Sequence, residues 1–169
     1  RVSSLARNIG MGAAVEGLIT FDGTILAYGD DSSVRQLSLD AGTLRRVELA
    51  GRGRTVAACP QLDPVTGELH FIARDQAGAQ LHQVVPAGAL TRRNRLIVDA
   101  AARIQGLAVG NDHVVFVAYG VVGITPRDGD VRTIWMPTHG AAPKPVHTHR
   151  AGDTIVLLAH TPSLERWTL

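Results

Sequence analysis

Short segments in which apolar and polar residues alternate, each bounded by turn-forming residues, run along the whole chain. In Val34–Leu39 apolar residues are interspersed with polar ones, and Leu37 and Leu39 are two residues apart, which is the period of a strand with one buried face. The pair Asp22-Gly23 separates the apolar runs Leu18–Phe21 and Thr24–Tyr28, and this arrangement predicts a tight β-hairpin. Together with Leu44–Leu49, these segments predict a unit of four short strands.

The same unit recurs at intervals of about 45 residues. Further predicted strands follow at 57–59, 69–73, 81–85, 96–98, 104–109, 114–118, 121–125, 131–135, 145–149, 154–158 and 164–169. This period predicts an all-β fold, a β-propeller of four-stranded antiparallel blades at 18–50, 55–99, 103–136 and 144–169. A β-sandwich, which spaces its strands by about 8–12 residues, is the alternative.

The predicted blades amount to a single partial propeller domain over residues 1–169. About three and a half blades cannot close a ring, and each blade has to bury its faces against neighbours. The chain begins at Arg1 and ends within the predicted strand Leu164–Leu169. We therefore expect a segment of a longer polypeptide, or a protein partner that completes the propeller.

The charge of the chain bears on its binding partners, and its cysteine content bears on the cellular compartment. The 17 basic residues exceed the 15 acidic ones only slightly and are spread along the chain, so no nucleic-acid partner is predicted. The clusters Arg45-Arg46, Arg52-Gly53-Arg54 and Arg92-Arg93 are interpreted as solvated loop charges. The single cysteine, Cys59, excludes a disulfide within the chain and fits a reducing compartment, so we expect a cytoplasmic location. No run approaches the ~18 apolar residues of a transmembrane segment.

Several motifs, spread over most of the chain, resemble those of one enzyme family. The most specific is Cys59–Leu69, which is similar to A-H-P-x-x-D-P-x-T-G-E-L. Weaker matches are Thr20–Asp30 to G-x-L-L-A-L-x-E, Leu37–Leu44 to L-D-P-x-T-L, Ile104–Val109 to M-H-D-F-A-I, Gly123–Arg127 to G-V-x-P-R, Ala151–Leu157 to the run after H-x-x-N-A-x-E, and Leu164–Leu169 to L-x-R-W-T-L-D. In these motifs the chain resembles the carotenoid cleavage oxygenases, which include the lignostilbene dioxygenases and the retinoid isomerase.

The resemblance implies a seven-bladed propeller with Fe(II) on its axis, bound by four histidines from different blades. It also implies that O₂ cleaves a conjugated double bond of a carotenoid, apocarotenoid or stilbene. The ligand would then be an apolar polyene or aromatic small molecule. Neutral imidazoles suit iron, and neighbouring carboxylates orient the ligating rings.

When the motifs are aligned with this chain, the positions of the iron-binding histidines hold residues other than histidine. Cys59, Gln105 and Lys144 correspond to the first three histidines, and the fourth position lies beyond the end of the sequence. Gly106 and Arg150 stand where the family has acidic residues beside the second and third ligands. Glutamine and lysine are poor iron ligands, so the resemblance implies a degenerate metal site.

The histidines and Cys59 are interpreted either as metal ligands or as residues with a structural role. His147 and His149 are two residues apart on a predicted strand, so their side chains share a face. They are either metal ligands, with His147 reached by a shift of the alignment, or hydrogen-bonded residues at a blade edge. Cys59 is likewise either a metal ligand or a small buried residue of an inner strand. The other histidines are interpreted as structural or solvent-facing: His70, His82, His113, His139 and His160.

These observations predict a carotenoid-oxygenase-like propeller that has lost the iron-dependent cleavage site and serves as a binding or interaction subunit, with no cofactor. The alternative is an active non-haem dioxygenase that retains Fe(II). An unrelated propeller lyase or lactonase with another metal is a third possibility, but it requires acidic residues on the axis, and the predicted inner strands contain few. No serine lies in a nucleophile motif.

Overall fold

The structure is a computed structural model that describes residues 15–58, 60–88, 93–96, 103–118, 121–127, 134–137, 145–151, 154–159 and 164–168. Within these ranges every regular element is a β-strand. The strands are β1 Val15–Phe21, β2 Thr24–Gly29, β3 Val34–Ser38, β4 Thr43–Val47, β5 Arg54–Val56, β6 Gln61–Leu62, β7 Leu69–Asp75, β8 Gln80–Val85, β9 Arg93–Leu96, β10 Ile104–Val109, β11 His113–Ala118, β12 Val121–Pro126, β13 Ile134–Pro137, β14 Pro145–Ala151, β15 Thr154–Ala159 and β16 Leu164–Thr168. The described part of the chain contains no helix with the length and apolar character needed to cross a membrane.

The strands form antiparallel sheets in which neighbours in sequence are neighbours in space. The first sheet has the order β1-β2-β3-β4, the second β5-β7-β8-β9 with β6 also paired to β7, the third β10-β11-β12-β13 and the last β14-β15-β16. Inner strands of successive sheets lie against one another, β1 with β6 of the second sheet, β6 with β10, and β10 with β14. Sheets that meander outward from adjoining inner strands are propeller blades, which confirms the predicted fold class.

The hairpin predicted at Asp22-Gly23 is present. Residues of β1 and β2 pair up to Phe21 and Thr24, which leaves a two-residue turn between them. Both turn residues have positive φ, 48° for Asp22 and 70° for Gly23. This is the backbone of a type I′ turn, whose twist matches that of the strands it joins.

The hydrophobic core lies between blades, and β7 contributes to it on both faces. Phe71 belongs to a cluster shared with the first blade, where Leu26 and Val34 are buried. Its neighbour Ile72 points to the opposite face and packs with Ile104 of the third blade. Because alternate side chains of a strand face opposite sides of a sheet, the second blade is held between the first and the third.

In the third blade, β11 likewise contributes to the core on both faces, since every residue of this strand is buried. Val114 and Phe116 pack toward the second blade, and Val115 and Val117 pack with β12 residues in a separate cluster. A strand buried on both faces has a continuous apolar run, as in this segment. Removing a side chain such as Phe116, which is 1% exposed, would cost about 3–5 kcal/mol.

The inner strands of three blades are irregular at one position each. The pairing register shifts between Val15 and Gly17 in β1, between Ile104 and Gly106 in β10, and between Pro145 and His147 in β14. Each shift corresponds to one extra residue opposite the second strand, namely Glu16, Gln105 and Val146. Such β-bulges redirect the chain and its side chains, and they are common next to binding and active sites.

The inner strand of the second blade is broken at a comparable place. β5 pairs with β7 as far as Val56 opposite Ala73, and β6 resumes with Gln61 opposite His70. The sequence predicted a strand over 57–59, and this prediction is wrong for the described residues, because Ala57 and Ala58 lie outside β5 and β6. Their apolar character reflects burial between blades, with Ala58 2% exposed, and no strand pairing is needed to explain it.

Candidate functional site

The turn between β6 and β7 is organised by one buried carboxylate. Asp63 is 1% exposed, and its Oδ1 accepts a hydrogen bond from the Val65 amide at 2.8 Å. Its Oδ2 accepts the Thr66 hydroxyl at 2.5 Å. Its backbone carbonyl accepts the Gly67 amide at 3.0 Å, which is the geometry of a reverse turn stabilised by an aspartate. These are the Asp, Thr and Gly of the motif singled out in the sequence.

The same carboxylate joins the second blade to the third. The guanidinium of Arg127, directly after β12, donates to Asp63 Oδ2 and lies 3.8 Å from Glu68 Oε2. Arg127 also donates to the carbonyl of Asn111 at 3.3 Å, so its side chain is fixed in its own blade as well. Two separate motifs of the resemblance, the Asp-Pro-x-Thr-Gly-Glu turn and the final Arg of Gly123–Arg127, therefore meet in one ion pair. We call Asp63, Glu68 and Arg127 the blade clasp.

Electrostatics keep the buried carboxylate of the clasp charged. Burial on its own would raise the pKa of Asp63. Hydrogen bonds from Thr66, Val65 and Arg127 together outweigh burial, so the pKa of Asp63 lies below its ordinary value. The clasp is therefore an ionised pair at neutral pH.

Two buried histidines lie beside the clasp. His70 Nε2 is 3.8 Å from Glu68 Oε2, and His70 Nδ1 is 3.1 Å from Nε2 of His82 on the next strand. The His82 ring meets Phe116 edge to face, with centroids 5.3 Å apart. His113, on β11, is also buried, with Nδ1 2.6 Å from Asp112 Oδ1. His70, His82 and His113 are therefore all buried, and none of them faces solvent; His139 and His160 lie outside the described residues.

We tested whether the described residues fit the iron that the resemblance implies. Potential ligand atoms of Asp63, Glu68 and His70 lie within 4.8 Å of one another. The guanidinium of Arg127 already contacts one of these carboxylates and approaches the other, so a fixed positive charge occupies the space that a metal ion would need. Two carboxylates and one imidazole also differ from an all-imidazole set. The cluster is therefore a salt bridge and does not fit iron.

A second contact between blades fixes the bulge of β10. The Ile104 amide donates to Gln80 Oε1 at 2.7 Å, and the Ile104 carbonyl accepts from Arg74 Nη2 at 3.3 Å. Both side chains come from the second blade, and Arg74 also donates to Gln80 at 3.2 Å. Burial, reinforced by repulsion from Arg103, lowers the pKa of Arg74. Since Ile104 directly precedes Gln105, the residues of the second blade fix the start of the bulge.

Of the candidate metal ligands, the structure describes the backbone of Gln105, His147 and His149. Gln105 is the extra residue of the β10 bulge. His147 and His149 lie on β14, opposite Leu158 and Val156. Cys59 and Lys144 lie outside the described residues, so the structure does not bring the predicted ligands together or separate them.

Comparison with solved structures identifies the fold. No protein-family model matches the sequence. The fold is of the propeller type and has a distant structural relationship to apocarotenoid oxygenases: a Synechocystis apocarotenoid oxygenase variant superimposes with a TM-score of 0.62 at 12% identity, over 83% of this chain and 38% of that one. The chain thus spans about two fifths of that enzyme's length, and at this identity the similarity concerns the fold alone.

Two further structures are similar over nearly the whole chain. The computationally designed Ika4 protein gives a TM-score of 0.55 at 16% identity, over 95% of this chain and 94% of that one. A catalytically inactive virginiamycin B lyase from Staphylococcus aureus, with quinupristin, gives 0.56 at 16% identity, over 93% of this chain and 56% of that one. These matches again describe the fold and carry no function to this chain.

Proposed function

We propose that this chain is a divergent member of the carotenoid cleavage oxygenases that binds a ligand or a protein partner on the propeller scaffold and no longer cleaves a double bond with iron. The observation that carries the proposal is the β10 bulge. Gln105, at the position of the second iron-binding histidine in the resemblance, is the extra residue of this bulge. The β-bulge is present, but the residue that occupies it has an amide side chain and no imidazole.

The other ligand positions support the same proposal. Cys59 and Lys144 replace two further histidines, and only His147 offers an imidazole near the third position. The resemblance implies iron bound by imidazoles alone, with open positions for O₂. A thiol, an amide and an ammonium group do not provide that set.

The chemistry retained by the scaffold favours an apolar polyene or aromatic small molecule, or a protein surface, as the bound partner. Around Gln105 the inner strand β10 is apolar and buried, with Leu107 1% and Ala108 1% exposed. The bulge is fixed by Gln80 and Arg74, so a ligand near it would meet an ordered wall. A cytoplasmic location stays a prediction.

Metal content and oxygen consumption test the proposal. The purified chain is loaded anaerobically with Fe(II), desalted and assayed for bound iron and for O₂ uptake with an apocarotenoid and a stilbene. The proposal expects substoichiometric iron and no uptake. Iron close to one equivalent, lost in His147→Ala but kept in the matched control His160→Ala, together with product formation, would establish the alternative, an active non-haem dioxygenase.

A further inference from the structure

The bulges of the inner strands lie at equivalent positions in their blades. In β1, β10 and β14 the shift in register falls within the first three residues of the strand, opposite the last two residues of the strand that follows. The residues that occupy the bulges are Glu16, Gln105 and Val146. These three positions therefore correspond to one another in the repeated blade.

A short sequence repeat accompanies the bulges of the first and third blades. Val15–Leu18 has the sequence Val-Glu-Gly-Leu, and Ile104–Leu107 has the sequence Ile-Gln-Gly-Leu. In both segments a residue with a carboxyl or an amide group occupies the bulge, and glycine follows it. Bulges redirect side chains next to binding sites, and glycine inside a strand often marks such an irregularity. The repeat therefore places an oxygen-bearing residue at the same backbone position of two blades.

The topology brings these positions to one end of the propeller axis. The first, third and last sheets each begin with their inner strand and continue outward through antiparallel neighbours, so β1, β10 and β14 run in the same direction along the axis. β6 contacts both β1 and β10, and β10 contacts β14, so these inner strands adjoin. Since each bulge occupies the beginning of its strand, the bulges lie at the same end. We call Glu16, Gln105 and Val146 the axial bulge residues.

The backbone around the third-blade bulge is held by its neighbours. Ile104, which precedes Gln105, is 0% exposed and packs in the cluster between the second and third blades. Its amide donates to Gln80 Oε1 and its carbonyl accepts from Arg74 Nη2, so both of its backbone groups are bound by the second blade. The backbone at Gln105 is therefore ordered before any ligand binds. A site built on ordered backbone loses little freedom on binding.

We propose that the axial bulge residues bind the ammonium group of an organic ligand, with Glu16 as its counter-ion and Gln105 as a hydrogen-bond acceptor. An ammonium group donates three hydrogen bonds, and carboxylate and amide oxygens accept them. Val146 adds no polar group, as expected where the rest of the ligand is apolar. This inference rests on the proposed function, because it names the ligand class that the propeller binds: an aromatic or polyene amine, and not an acid.

Titration with three probes of similar size and different charge tests the proposal. 2-Phenylethylamine, 2-phenylethanol and 3-phenylpropionate are titrated separately into the metal-free ¹⁵N-labelled chain. The amide shifts of Gly17 and Gly106, which directly follow two of the axial bulge residues, are followed. The amine should give a saturable shift at both amides and bind at least tenfold more tightly than the alcohol, which corresponds to about 1.4 kcal/mol. The carboxylate should bind most weakly, because Glu16 repels it.

Matched charge variants separate a site from general attraction. Glu16→Gln keeps the size of the side chain and should weaken amine binding at least tenfold. Asp40→Asn removes the same charge from the exposed turn between β3 and β4 and should leave the affinity within about twofold. Val146→Glu adds a carboxylate at an equivalent position and should tighten amine binding about threefold or more, a gain that cannot come from a loss of fold. His147→Glu adds the same charge outside the bulge and should have a smaller effect.

Three results would overturn the proposal. The first is the absence of a saturable shift at Gly17 and Gly106 with the amine. The second is equal weakening by Glu16→Gln and Asp40→Asn, which would show that binding follows overall charge. The third is a shift of the same amides by Mg²⁺ at a lower concentration than the amine requires, which would indicate an inorganic cation site. The iron assay is independent: one equivalent of iron would overturn the proposed function, whereas substoichiometric iron without amine binding would overturn this inference alone.

Discussion

The blade clasp makes a quantitative prediction about Arg127→Met. This change keeps most of the apolar length of the side chain and removes the cation from Asp63, whose side chain is 0% exposed. Removing one member of a buried ion pair typically costs about 3–5 kcal/mol. Asp63 keeps its hydrogen bonds from Val65 and Thr66, and the Arg127 side chain is 13% exposed, so we expect a loss of about 2–3 kcal/mol, below that range.

Urea unfolding followed by far-UV circular dichroism measures this loss. With a urea dependence of about 2–3 kcal/mol per molar, the midpoint should fall by roughly 1 M. Arg35→Met is the matched control, because Arg35 pairs with Asp31, whose side chain is 42% exposed, and a surface pair contributes about 0–1 kcal/mol. Combining Arg127→Met with Asp63→Asn should give a loss smaller than the sum of the two single losses, since the same contact is removed twice.

The difference in unfolding free energy between the wild type and Arg127→Met should depend on pH in a definite direction. The folded pKa of Asp63 lies below its unfolded value of about 3.9, so the ionised carboxylate stabilises the fold above about pH 4. That contribution is lost as the pH falls through the folded pKa. The difference between the wild type and Arg127→Met should therefore be largest at neutral pH and shrink below about pH 4. An Arg127→Met loss no larger than that of Arg35→Met, or single losses that simply add, would refute the clasp.

Three further changes have definite expectations. Gly110→Ala would place a Cβ 2.5 Å from Cε1 of the buried His113, so it should lower the unfolding free energy by about 1–3 kcal/mol, and a milder effect of the same change in a His113→Ala background would confirm the clash. Gln80→Leu leaves the Ile104 amide without its acceptor and should cost about 1–3 kcal/mol, with faster exchange of that amide as the local readout; unchanged exchange would contradict the contact. Gly23→Ala forces a side chain into φ +70° in open space and should cost about 1–2 kcal/mol by thermal melting, and an unchanged melting temperature would argue against the type I′ turn.

The parts of the fold that the sequence predicted are those set by local chemistry. The Asp22-Gly23 hairpin formed because both residues tolerate positive φ, which depends on no distant contact. The turn at Asp63 is set by local chemistry as well, since its hydrogen bonds reach only a few residues ahead. The strand predicted over 57–59 is absent at Ala57 and Ala58 because an apolar run reports burial, and burial between blades does not require strand pairing.

The contacts that assemble the site were beyond sequence reasoning because they join distant residues. Both motifs of the clasp were recognised, but nothing in a single sequence says that Arg127 reaches Asp63. The His70–His82 contact was missed in the same way, although both residues were known to lie on adjoining predicted strands. The bulge at Gln105 has no characteristic residue type that a sequence could show, because it is a property of the pairing register.

The clasp also affects the order in which the blades fold during synthesis of the chain. Asp63 and Arg127 are 64 residues apart, so at about 5–20 residues per second a ribosome adds Arg127 roughly 3–13 s after Asp63. An ionised carboxylate without its partner is costly to bury, so the Asp63 turn stays hydrated during that interval. The second blade therefore completes its packing only when the end of β12 has been synthesised, and the two blades mature as one unit instead of one after the other.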